Sequence, residues 1–143
     1  MQGFVYRRQQ IGQLEILAAL IPYLSLAPRL AGKRVIHWID NSSAVAALSK
    51  GYSSAPDSAR LVHAFHATAA GLGCACWFEY VKSSANPADV PSREDLSDTE
   101  WDCGLPGRGV KSRPVPACLP PDTRWADAAA QWTLRAAKAA REL

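Results

Sequence analysis

Six residues, Val35-Ile36-His37-Trp38-Ile39-Asp40, constrain the fold of this chain more than any other stretch. β-Branched and aromatic side chains suit a pleated backbone, so the run predicts a buried strand. It ends on a carboxylate, and Asn41-Ser42-Ser43 follows at once. Those three side chains carry oxygens that cap the free amides of a helix start. Ala44-Val45-Ala46-Ala47-Leu48 extends the helix, and Gly51 is placed to stop it. A strand that runs through Asp into a helix is the sequence form of an α/β unit. It sets Asp40 at the carboxyl edge of a sheet, where open α/β sheets hold their sites.

The flanking segments fit the same class. In Gln13–Leu20 and beyond, Leu14, Leu17, Ile21 and Leu24 recur at helical spacing, which predicts a helix starting near Gly12. Pro22 falls inside or kinks that helix, and Pro28 closes it. After the polar Gly51–Asp57 stretch, a second helix is expected from about Ser58 to Ala70. Leu61, Phe65 and Thr68 lie on one face of it, and Gly71 and Gly73 end it. Cys74 to Val81 alternates and is aromatic, so it predicts another strand, with Trp38 and Trp77 both expected in the core. Asn86-Pro87-Ala88-Asp89 reads as a loop turning into a final short helix.

Outside this stretch the composition changes. Phe4-Val5-Tyr6 is a candidate strand end. From Gly104 to Pro121 the chain is rich in Gly and Pro, with Pro106, Pro114, Pro116, Pro120 and Pro121, as in a linker. Arg124 to Glu142 is an Ala-rich candidate helix with Trp125 and Trp132 on one side. The expected organisation is a domain over residues 1–96, a linker over 97–123 and an independent helix over 124–143.

With 48 % hydrophobic and 20 % charged residues, the chain has ordinary globular usage. It holds no run of about 18 apolar residues, so no spanning helix and no membrane partner are expected. Arg7 and Arg8 precede the first apolar run, and Glu15 interrupts it, which argues against a signal-peptide core. An intracellular site, cytoplasmic or nuclear, is the expectation. Cys74, Cys76, Cys103 and Cys118 lack zinc-site spacing, and His37, His63 and His66 supply no third ligand for a metal. Packing or surface roles are expected for both sets. The net charge of +3 permits a polyanionic partner. Arg7, Arg8, Lys33, Arg34, Lys50, Lys82 and Arg93 are candidates for a phosphate-tracking surface, with ordinary solvated charge as the alternative.

Three carboxylates sit in three different elements: Glu15 on the first helix, Asp40 at a strand end and Asp89 at a helix start. Each has a plain structural role open to it: Glu15 as a solvated helical residue, Asp40 as a cap and Asp89 as a first-turn acid. Asn41 and Ser42 can do the capping, so Asp40 is not needed for it.

Taken in order, Gln13-Leu14-Glu15-Ile16-Leu17-Ala18-Ala19-Leu20, Gly32-Lys33-Arg34-Val35-Ile36-His37-Trp38-Ile39-Asp40-Asn41-Ser42-Ser43-Ala44 and Asn86-Pro87-Ala88-Asp89-Val90-Pro91-Ser92-Arg93 resemble the ribonuclease H-like domains of retroelement reverse transcriptases. The likeness covers roughly residues 9–94. It implies an α/β ribonuclease H-like fold and two Mg²⁺ ions held by four carboxylates. It also implies hydrolysis of the RNA strand of an RNA–DNA hybrid, within a larger reverse transcriptase polyprotein. Glu15, Asp40 and Asp89 match three of the four ligands. Hard Mg²⁺ prefers such oxygen donors, and paired ions suit an in-line phosphodiester displacement.

Two departures qualify the match. The family begins with a strand bearing an aspartate and two further strands, whereas no Asp or Glu precedes Glu15 here. The expectation is a fold lacking its first strands and a nuclease impaired by the missing ligand, or else an inactive nucleic-acid-binding or scaffolding remnant. The segment Val81-Lys82-Ser83-Ser84-Ala85 also lacks a histidine that many members carry before the last aspartate.

Overall fold

A computed structural model describes residues 11–89 and 115–118. Phe4-Val5-Tyr6, most of the 97–123 stretch and the 124–143 segment lie outside the described residues. In chain order the elements are α1 (Ile11–Ser25), α2 (Ala27–Leu30), β1 (Arg34–Ile39), α3 (Ser42–Lys50), α4 (Pro56–Gly71) and β2 (Ala75–Tyr80). A short 3₁₀ turn, Ser83–Ala85, follows β2. The chain is thus α/β, with one parallel pair of strands joined through α3 and α4. Parallel strands need such a crossover, because no tight turn can return the chain to the same end.

The register pairs Val35 with Cys76, His37 with Phe78 and Ile39 with Tyr80. On the helix-facing side, Ile39 is buried, and Val35, Cys76 and Phe78 pack against the core. The opposite face carries Arg34, Ile36, Trp38 and Trp77, all exposed. Here the structure corrects the expectation of a buried strand and of two core tryptophans: Trp38 is 57 % and Trp77 65 % exposed. Among the described residues the helices cover one face of the sheet only, so alternate side chains of each strand meet solvent. The Trp77 indole N–H donates to the Glu79 carboxylate at 2.7 Å on this open side.

The core is built between α1 and α4. Ile16, Ala19, Leu20 and Tyr23 from α1 are buried with Leu61, Val62, Phe65 and Ala69 from α4. Of the periodic set that predicted this helix, Leu14 is 53 % exposed, while Leu17 and Leu24 are partly buried against the core. The stripe one position away, Gln13-Ile16-Leu20-Tyr23, is the fully buried one. Both stripes obey helical spacing, and the aromatic at Tyr23 decides between them. Its ring meets Phe65 edge-on at 4.7 Å, and Phe65 meets Phe78 of β2 at 5.2 Å. Pro22 lies inside α1 as anticipated. Pro28 does not close α1; it sits in the first turn of α2, where its missing N–H costs nothing.

The predicted stop at Gly51 is present, with φ of +66° and its N–H returned to the last turn of α3. Leu61, Phe65 and Thr68 are all buried on one face of α4, as their spacing required. Far along the chain, the Cys118 N–H donates to Ser25 Oγ at 2.9 Å, tying that residue to the end of α1. No helix among the described residues is long and apolar enough to cross a membrane.

Candidate carboxylate site

Parallel pairing puts the carboxyl ends of β1 and β2 at one edge of the sheet. Asp40 follows directly on Ile39 and is half-buried there. The turn into α3 is organised by Asn41: its side-chain oxygen accepts the Ala44 N–H at 3.0 Å and the Ser43 hydroxyl at 2.6 Å. Asn41 is therefore the cap of α3, and the Asp40 carboxylate is not spent on that role.

α1 descends through α2 into β1, so its first turn lies beside the far end of β1, near Asp40. The approach is close. A Cβ built on Gly12 would stand 3.3 Å from Ser43 Oγ, so the α1 backbone reaches the start of α3 with no side chain between. Glu15 is one turn further along α1 and half-buried. Partial burial, and after it the negative charge of Asp40, push the Glu15 carboxyl above its usual range. The two acids are thus within electrostatic reach of each other, although 25 residues separate them in sequence.

Asp89 follows β2 at the end of a turn. After β2, the Val81 N–H donates to the Ile39 carbonyl at 3.0 Å. The 3₁₀ turn follows, and Asn86 then folds the chain back on itself, accepting the Ala88 N–H on its side chain and the Asp89 N–H on its carbonyl. Asp89 is half-buried in a helical position at the end of this turn. Among the described residues, however, no three His, Cys, Asp or Glu side chains gather tightly enough to enclose a metal ion. The structure sets Glu15 within electrostatic reach of Asp40.

Two carboxylates in mutual repulsion form a hard, anionic oxygen donor set. Mg²⁺ is commonly held by one or two carboxylates and keeps several waters, so acids of this kind are donors such an ion accepts. The basic residues are divided between the two ends of the sheet. Lys82 follows β2 at the carboxylate edge, while Lys33 and Arg34 stand at the opposite end of β1 and Lys50 at the far end of α3. All four are exposed, and they do not form one track; Arg7, Arg8 and Arg93 lie outside the described residues.

The histidines serve packing and the surface. His66 Nε2 lies 2.9 Å from the Leu48 carbonyl, His37 stacks on Tyr23 with ring centres 5.9 Å apart, and His63 is exposed. The Cys74 thiol donates to the Leu30 carbonyl at 2.7 Å, a structural contact. Sequence reasoning passed over Gly12 as a mere helix start. A glycine inside a helical pattern was the available signal, since it costs helix stability and so points to a packing reason. No family model, curated protein or solved structure matches the chain.

Proposed function

We propose that this chain is a ribonuclease H-like module of a retroelement reverse transcriptase, acting on the RNA strand of an RNA–DNA hybrid with low turnover. The single observation supporting this reading is that Glu15 lies within electrostatic reach of Asp40 at the carboxyl edge of the sheet, where burial and, after it, the Asp40 charge raise the Glu15 carboxyl. The ordered motifs around Glu15, Asp40 and Asp89 agree with it, as does the α/β architecture. Glu15 and Asp40 would hold Mg²⁺, with Asp89 as the third carboxylate that the resemblance implies. When bound, Mg²⁺ supplies charge neutralisation at a phosphodiester and activation of a water. The chain itself contributes the orientation of the two acids and their partial shielding from solvent. Two gathered carboxylates fall short of the four that the resemblance implies, hence the low turnover.

A second reading, a nucleic-acid-binding or scaffolding remnant without catalysis, is favoured by one observation: no closed ligand set forms among the described residues. A labelled RNA–DNA hybrid incubated with the purified chain separates the two. Slow cleavage that requires Mg²⁺ and disappears in Asp40→Asn and Glu15→Gln is the expected result. Cleavage that survives both substitutions would sink the nuclease reading, and hybrid retention without any cleavage would select the remnant.

A further inference from the structure

We propose that Gly12 is a positioning residue: by carrying no side chain, it lets α1 close on Ser43 and sets Glu15 at its working distance from Asp40. The functional meaning rests on the reading of Glu15 and Asp40 as a cation-holding pair; the geometric claim does not.

Residues three apart on a helix share a face, so Gly12 and Glu15 look toward the same neighbour. That neighbour is the start of α3. The 3.3 Å between the Gly12 Cβ position and Ser43 Oγ is tighter than ordinary van der Waals contact. Ser43 is not free to yield at no cost, because its hydroxyl donates to Asn41 Oδ1 at 2.6 Å. Asn41 in turn holds the Ala44 N–H at 3.0 Å and is bonded directly to Asp40. The wall that α1 meets is therefore the same braced turn that carries Asp40. A side chain at position 12 requires Ser43 to give by a few tenths of an ångström, against its bond to Asn41, or α1 to move off with Glu15.

Glycine is a poor choice for helix stability, since it loses the most backbone freedom on folding. Gly12→Ala favours the helix intrinsically while opposing the close approach. A stability role and a positioning role thus predict opposite signs.

The experiment uses the full chain as Gly12, Gly12→Ala, Gly12→Val, Ser43→Ala and the Gly12→Ala/Ser43→Ala double variant. Mn²⁺ serves as the probe, with free ion counted by electron paramagnetic resonance. Affinity is expected to fall several-fold in Gly12→Ala and further in Gly12→Val, and to recover in the double variant, where Ser43 Oγ is gone. Thermal stability is not expected to follow that order. A second measurement needs no metal: nuclear Overhauser contacts between the α1 backbone around position 12 and the start of α3 around residue 43. They are expected to weaken from Gly to Ala to Val at position 12. Mn²⁺ affinity that ignores position 12 yet is lost in Asp40→Asn, or a failure of Ser43→Ala to rescue, overturns the proposal. If the unaltered chain binds no Mn²⁺, the cation reading fails instead, and the NMR series alone decides the role of Gly12: a graded loss of those contacts upholds it and unchanged contacts end it.

Discussion

Phe65→Ala offers the sharpest test of how this fold is held. Phe65 is fully buried, at 0 % exposure, and links three elements: its ring meets Tyr23 of α1 at 4.7 Å, Phe78 of β2 at 5.2 Å and His66 on its own helix at 5.6 Å. Truncating a buried Phe costs about 3–5 kcal/mol, from lost transfer energy plus the cavity left behind. The upper half of that range applies here, because the edge-on neighbours lose geometry worth roughly 0.5–1.5 kcal/mol per aromatic pair. About 4 kcal/mol is a large part of the roughly 5–15 kcal/mol that holds a small domain together. Trp77→Ala is the matched control. It removes a larger ring, but one that is 65 % exposed, and such surface changes stay within about 0.5 kcal/mol. Urea unfolding followed by far-ultraviolet circular dichroism should show a large drop in midpoint for Phe65→Ala at constant slope, and almost none for Trp77→Ala. A Phe65→Ala cost below about 1.5 kcal/mol would refute the packing argument, since it falls under the range for a filled cavity. A Trp77→Ala cost matching that of Phe65→Ala would show that the outer face of the sheet is covered in solution.

Two further outcomes follow from local chemistry. Asn41→Ala removes the acceptor for the Ala44 N–H and the Ser43 hydroxyl, and is expected to cost about 1 kcal/mol in urea unfolding, with Asn41→Asp retaining most of it. Burial holds the His37 imidazole below its ordinary value of 6.5. Above that pH both folded and unfolded chains carry it neutral; below it the unfolded chain binds the proton first, so stability falls as pH drops from 6.5 toward the folded value. Comparing unfolding midpoints at roughly pH 7.5 and roughly pH 5 should show a smaller loss in His37→Phe, and an equal loss in both proteins would remove His37 from the account.

The parts of this fold that were legible in the sequence are those decided by neighbours in the chain. Val35–Asp40 with its Asn41 cap, the Gly51 stop and the Leu61–Phe65–Thr68 face of α4 each rest on propensity, capping or spacing within one element. The parts that misled depend on what lies across from them. Trp38 and Trp77 are as strand-compatible on an open face as on a covered one, and only the placement of the helices tells the two apart. The buried stripe of α1 was ambiguous for a related reason. From Ile11 to Ser25 the helix is apolar on most of its circumference, so Leu14-Leu17-Ile21-Leu24 and Ile16-Leu20-Tyr23 both satisfy the period, and the ring partner at Phe65 settles it. At the carboxylate edge, strand-end placement foretold Asp40, and the Glu15–Asp40 pairing fits the ordered motifs.

Glu15 immediately precedes Ile16, the first aliphatic residue of the inward stripe, so the same rotation of α1 that buries the core sets the carboxylate at its margin. Between the two ends of α1, Ile16, Ala19 and Leu20 pack in the core, and one close approach marks each end. At the far end, Tyr23 is locked into Phe65 and, through it, to β2. At the near end, Gly12 rests on Ser43. Glu15 lies between these anchors, three residues from the near one and eight residues, about 12 Å of helix rise, from the far one. A disturbance at Phe65 therefore acts mainly on whether the helix is held at all, and one at Gly12 mainly on how far Glu15 stands from Asp40. Stability and carboxylate spacing are for that reason separable in this chain. A Phe65 variant that remains folded at low temperature should keep the Glu15–Asp40 pairing, while a Gly12 variant of undiminished stability should lose it.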